Sequence, residues 1–223
     1  MIFQRYALYF TPEADLAERG AAWLGWDMAA GAVVPHPQID GIDVAALTET
    51  PRKYGLHATI KPPMVLAKGT TRNALEAATS ALAKSTAAVT LDGLHLSRIG
   101  RFLALTPLGD TDELNALAAH VVKTLDPFRA PASDQELARR RARPLSASQE
   151  QNLIQWGYPH VMQDFHFHIT LTGSLNNAEA IAPVVAAHFN PVLPTPFTLN
   201  SLTLAGEDSE GMFHAITRFA LEG

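Results

Sequence analysis

Polar and apolar positions alternate most cleanly in two short stretches of the chain. The first runs Tyr54-Gly55-Leu56-His57-Ala58-Thr59-Ile60-Lys61 and stops at Pro62-Pro63. As a strand it places Gly55, His57, Thr59 and Lys61 on one face and Tyr54, Leu56, Ala58 and Ile60 on the other, with the prolines ending the ladder. The second, Phe165 to Thr172, puts His166, His168, Thr170 and Thr172 on one face and Phe165, Phe167, Ile169 and Leu171 on the opposite one. In both cases a polar face backs an apolar one.

The remaining pattern fills in around these strands. An aromatic and β-branched run over 2–10 reads as a strand, and Pro12 opens an Ala- and Leu-rich helix to about 26. Turn formers over 30–41 precede a short helix over 43–50. A helix over 71–85 follows the first alternating strand, then strands over 88–98 and 101–107 joined by a hairpin at Ile99-Gly100. Helices over 110–126 and 146–156 are separated by a linking segment, 129–144. After the second alternating strand come a helix over 178–189 and strands over 197–205 and 212–221.

The order strand, helix, strand, strand therefore occurs twice, over about 54–107 and 165–221. The expected fold is α+β: a duplicated, bilobal single domain over 1–223, with two antiparallel sheets, helices on their outer faces and a central cleft lined by the two alternating strands.

Composition narrows the chemistry. With 223 residues, 47% hydrophobic and 17% charged, the chain can bury a core and is not of the disordered or collagenous type. Its net charge of −5 argues against coating DNA or RNA, although a local basic patch remains compatible with an anionic ligand. No stretch approaches the roughly 18 apolar residues of a membrane span and no basic leader precedes a long apolar run, so the expectation is a cytoplasmic protein without a membrane partner. The absence of cysteine removes disulfides, thiolate metal sites and Cys nucleophiles, leaving nine histidines and the carboxylates as the reactive inventory.

Two of those histidines occupy equivalent places in the repeats. His57-Ala58-Thr59 and His168-Ile169-Thr170 each aim an imidazole and a hydroxyl the same way. If the strands meet across a cleft, one imidazole can take a proton from an attacking oxygen while the other protonates a leaving oxygen, and the hydroxyls can hold non-bridging phosphate oxygens. Which histidine is the base stays open. A non-catalytic module that holds a phosphorylated metabolite or RNA end with the same side chains is the competing reading.

These residues resemble the two-histidine (2H) phosphoesterase superfamily, in its LigT-like branch, whose signature is a pair of His-x-Thr/Ser motifs about a hundred residues apart in a duplicated, bilobal fold. The flanks Arg5-Tyr6-Ala7-Leu8-Tyr9-Phe10, Tyr54-Gly55-Leu56 through Lys61-Pro62-Pro63, Trp156-Gly157-Tyr158-Pro159 and Phe167 through Gly173 are similar to a subgroup usually encoded beside phosphonate-degradation genes. The resemblance implies hydrolysis or opening of a cyclic phosphate by His57 and His168, with no metal or other cofactor. Its gene association suggests a ribosyl cyclic phosphate as the small substrate, with an RNA end carrying a 2′,3′-cyclic phosphate, processed or ligated, as the rival.

Other residues are weighed against plainer roles. Lys61 shares the His57 face and can neutralise a phosphate, or be solvated at a strand end. His166 shares the His168 face; His-x-His is also a metal-ligand spacing, but no His-Glu-x-x-His helix or carboxylate cluster accompanies it, so it reads as a cleft-wall or supporting residue. Arg5 on the first strand can reach a phosphate. The run Arg139, Arg140, Arg141, Arg143 is either a clamp at the cleft mouth or, as such runs more often are, a solvated face. Tyr54 is expected to pack, and Trp156 and Tyr158 to anchor a loop.

Overall fold

A computed structural model of the chain describes residues 2–223. In chain order the elements are β1 (Arg5–Phe10), α1 (Ala14–Leu24), β2 (Trp26–Asp27), β3 (Ala32–Val33), α2 (Val44–Arg52), β4 (Ala58–Met64), α3 (Arg72–Lys84), β5 (Val89–Leu91), β6 (Gly93–Ile99), β7 (Phe102–Leu108), α4 (Asp112–Thr124), α5 (Asp134–Arg141), α6 (Ala147–Trp156), β8 (Ile169–Thr170), α7 (Ala178–Phe189), β9 (Phe197–Leu199), β10 (Ser201–Glu207) and β11 (Phe213–Ala220). The fold is α+β with antiparallel sheets, and among the described residues no helix is long and apolar enough to cross a membrane.

All but two of the α-helices, α1 and α4, begin where a side chain satisfies an open N–H group of the first turn. Asp43, Thr71 and Asn177 accept from the backbone N–H groups of Ala46, Ala74 and Ala180, and Ser146 with Gln149 forms a reciprocal capping box at the start of α6. Helix α5 falls within the segment expected to be a link. Ser133 caps it through the Glu136 N–H, but it buries no side chain, so it leaves no apolar stripe in the sequence to mark it.

The two expected sheets are joined. The principal sheet runs β11-β10-β1-β4-β8-β7-β6, with the alternating strands β4 and β8 side by side at its centre. Their pairing is the single antiparallel register pair Ala58↔Ile169, which leaves neither strand a free edge there. The equivalent strands β5 and β9 pair with each other as well, in a separate two-stranded sheet. Each central strand has the other repeat's hairpin on its flank: β6 and β7 lie beside β8, while β10 and β11 reach β4 through β1.

The sheet has two unlike faces. On one, Leu8, Phe10, Ala58, Ile60, Leu103, Leu105, Ile169, Leu171 and Leu204 pack with the apolar sides of α1, α3, α4 and α7 into the main core. At about 25 cal/mol per Å² of apolar surface removed from water, this face supplies the main driving force for folding. The other carries a smaller cluster of Ala7, Tyr9, Trp26, Met28, Ala205 and Phe213, and beside it a cavity.

Candidate active site

The register pair at the centre of the sheet joins the middle residues of the two His-x-Thr segments. Ala58 and Ile169 are both completely buried, pointing into the core. Alternation then sends their neighbours to the opposite face, and the antiparallel direction sets His57 beside Thr170 and Thr59 beside His168. Four polar side chains from distant parts of the chain thus gather on one patch of sheet.

Each imidazole is held in the same way. His57 Nδ1 lies 3.0 Å from the carbonyl oxygen of Gly55, and His168 Nδ1 lies 2.8 Å from that of His166, in both cases two residues back. A carbonyl only accepts, so each Nδ1 carries a proton and Nε2 is the atom that each ring has left for chemistry. His57 Nε2 lies 3.2 Å from Thr59 Oγ1, which donates to it. The approach of backbone to ring at His57 depends on Gly55, whose φ of +66° is a left-handed conformation; an added Cβ there would meet the Met28 side chain at 2.9 Å.

The electrostatics of the two rings differ. His57 is pushed from 6.5 down to about 4, first by burial and further by the charge of His168, with the Gly55 carbonyl opposing both. Its ring rests on Tyr9, centroids 4.0 Å apart, with Tyr54 at 5.7 Å. His168 is packed more loosely, its ring 5.9 Å from that of Phe102.

The cavity over this patch has a volume of about 410 Å³, in the range of small-molecule sites. His57, Thr59, Thr170 and Thr172 line it; His168 is not among the lining residues, and its ring lies 5.9 Å from that of Phe102, which is. Arg5, Lys53, Arg139 and Arg140 also line it, and among the described residues no Asp or Glu does. Tyr9 is fully buried, and its hydroxyl has no hydrogen-bond partner among the described residues. Leaving such a group unpaired costs about 1–3 kcal/mol, so the cavity offers a donor in want of an acceptor.

Arg5 reaches the cavity, but its guanidinium is engaged by both carboxylate oxygens of Glu207, which raises its pKa and balances its charge. Lys61 does not reach it. A β-bulge between the pairs Tyr9↔Thr59 and Leu8↔Lys61 places two residues of β4 against one of β1, so alternation breaks at Ile60. Lys61 therefore turns with Leu8 toward the core, where its Nζ donates to the Val122 carbonyl at 3.1 Å and lies 3.6 Å from Asp126. Burial lowers its pKa from 10.5 to about 8, with Asp126 opposing that shift. A phosphate-binding role for Lys61 is overturned by this placement.

His166 is exposed and is not among the residues lining the cavity; its connection to the site runs through its carbonyl, which orients His168. The arginine run divides. Arg139 and Arg140 line the cavity, whereas Arg141 points to Glu150 at 2.6 Å and Arg143 is exposed. Tyr54 and Tyr158, expected to pack away from the site, both line it. Strand β4 begins only at Ala58, and the left-handed turn at Gly55 cancels the alternation that put Tyr54 on the apolar face. Tyr9 and Thr172 carried no signal beyond membership of strand patterns.

Comparison with known proteins adds three findings. The family model described as "Protein of unknown function (DUF1045)" matches residues 59–214, well over half of the chain. The chain is 37% identical over 218 residues to a protein of Janthinobacterium sp. (strain Marseille) named ribose 1,5-bisphosphate phosphokinase PhnN, covering 93% of this chain and 48% of that protein. It is 30% identical over 218 residues to the protein of the same name from Laribacter hongkongensis (strain HLHK9), covering 96% and 51%. It thus spans about half the length of these curated relatives. Among solved structures it is similar to E. coli LigT complexed with 3′-AMP, at 17% identity and a TM-score of 0.49 over the whole of both chains. The matched region begins two residues after His57 and takes in Thr59, His168 and Thr170; with well over half of its length matched, the chain belongs to the DUF1045 family.

Proposed function

We propose that the protein is a phosphodiesterase that opens a small cyclic phosphate with water, using His57 as general base and His168 as general acid. The observation that carries this reading is the register pair Ala58↔Ile169, which gathers His57, Thr59, His168 and Thr170 on one face of the sheet. His57, lowered to about 4, is neutral near pH 7 and able to accept a proton at Nε2. With His57 as the base, the second imidazole of the pair is the one left to serve as proton donor.

In the step itself, water attacks phosphorus as His57 Nε2 removes its proton. The bond from phosphorus to the ring oxygen breaks, and that oxygen takes the proton of His168 Nε2, leaving a phosphomonoester and a free hydroxyl. Thr59 and Thr170 donate to the non-bridging oxygens, where negative charge is held through the transfer. Thr59 must leave His57 Nε2 to do so, which unmasks the base as the phosphate enters. The cationic lining draws an anion into a chain of net negative charge.

The cavity volume suits a sugar phosphate or a mononucleotide. The relatives' name points to the same class of compound, because hydrolysis of a ribosyl cyclic phosphate yields a ribose phosphate. The test is a panel of ribosyl, nucleoside and RNA-terminal cyclic phosphates assayed in EDTA. Turnover of a small cyclic phosphate that chelation leaves intact supports the reading; activity that disappears with EDTA and returns with metal contradicts it. Tight binding of the panel without turnover assigns the cavity to a binding module instead.

A further inference from the structure

Resting on that reading of the histidine pair, we infer a second anion subsite in the same cavity, formed by Arg139 and Arg140, that takes a separate phosphomonoester of the substrate. The class of substrate is then a cyclic phosphate that carries a second, terminal phosphate.

The first ground is unbalanced charge. Of the cavity cations, Arg5 is matched by Glu207 in a two-point pair. Arg139 and Arg140 share one carboxylate, Glu136, at 3.5 and 3.4 Å, both at the outer limit of a hydrogen bond. Two guanidinium groups on one carboxylate leave a net positive charge at this wall, and among the described residues no other carboxylate lines the cavity to absorb it.

The second ground is an orphaned donor. The Nε of Arg140 is buried and has no partner among the described residues, while the central carbon of its guanidinium lies 4.4 Å from the Tyr158 ring centroid. A guanidinium held against an aromatic ring with an unmet donor is suited to the tetrahedral oxygens of a phosphate. Arg140 belongs to α5. Its last turn carries three arginines, of which only Arg141 is turned out of the cavity, to Glu150.

Three substrates test the inference: a ribosyl or nucleoside 2′,3′-cyclic phosphate, its 5′-phosphorylated counterpart, and a trinucleotide ending in a 2′,3′-cyclic phosphate. The wild-type protein is expected to prefer the 5′-phosphorylated compound over the unphosphorylated one by roughly 10- to 100-fold in kcat/KM, mainly through KM. Arg140→Gln and Arg139→Gln should collapse that ratio toward one, and Arg140→Lys should restore part of it. Arg139 is exposed, so its variant reads the ratio even if Arg140→Gln fails to fold. An equal loss for both substrates overturns the subsite. A preference for the trinucleotide that fades steeply with salt also overturns it, because the wall would then be gripping a nucleic-acid backbone.

Calorimetry separates this inference from the hydrolase reading. With His57→Ala/His168→Ala, Arg140-dependent tighter binding of the doubly phosphorylated ligand upholds the subsite even if no substrate turns over. Turnover without any response to the second phosphate upholds the hydrolase alone.

Discussion

His57 lies against Tyr9 and Tyr54 with Thr59 donating to its Nε2, whereas the His168 ring lies 5.9 Å from that of Phe102, two residues after an exposed His166. The two share the same hydrogen bond to a carbonyl two residues back, so the local chain treats them alike. What separates them is the surrounding fold: β1 supplies Tyr9 beneath His57, while β7 supplies only an edge contact to His168. The duplicated motif thus repeats one local hydrogen bond in two unlike surroundings, and those around His57 lower its pKa to about 4.

The sharpest way to break the comparison is to remove each ring. His57→Ala and His168→Ala should each lower kcat by about 10²- to 10⁴-fold on an alkyl cyclic phosphate. A diester with a nitrophenyl leaving group should recover most of the loss in His168→Ala and little in His57→Ala, because a good leaving group needs no proton. Equal recovery in both would show that the roles are not divided.

A smaller effect is expected at the hydroxyls. Thr59→Val and Thr170→Val should each cost about ten- to a hundredfold in kcat/KM, less than either imidazole. A Thr loss as large as a His loss would shift the weight of catalysis from proton transfer to oxygen binding.

The pH dependence sharpens the comparison further. The acid limb of kcat/KM should lie near pH 4, since the free enzyme loses its base only when His57 gains a proton. An acid limb near 6.5 would place the base elsewhere. The same shift predicts a stability trend. The unfolded chain takes up the His57 proton near 6.5 and the folded one near 4, so the folded state loses stability as pH falls across that window, by a total on the order of 3 kcal/mol. Denaturation of His57→Gln should lack that part of the slope.

The smallest kinetic effect belongs to Lys61. Its side chain serves the core, so Lys61→Met should leave kcat/KM within about twofold while changing stability by roughly 1–3 kcal/mol. A large rise in KM would mean that its charge acts on substrate after all.

Alternation over Phe165–Thr172 was readable because an unbroken two-residue period survives where one side of a strand is packed; only Thr172 departs, being buried while still lining the cavity. Over Tyr54–Lys61 the same period held just for His57 through Ile60. A left-handed glycine interrupts it on one side and a bulge on the other, and neither is visible as polarity. Helix α5 escaped for the complementary reason, since a helix that buries nothing leaves no apolar stripe. Tyr9 and Tyr158 enter the cavity through tertiary packing, which local pattern does not encode.

The most direct test is a crystal structure with a slowly hydrolysed cyclic phosphorothioate. The account predicts His57 Nε2 and His168 Nε2 within about 3.2 Å of oxygens on opposite sides of one phosphorus, with Thr59 and Thr170 on its non-bridging atoms. A bound phosphorus contacted by one imidazole alone, with the other facing away, would contradict it.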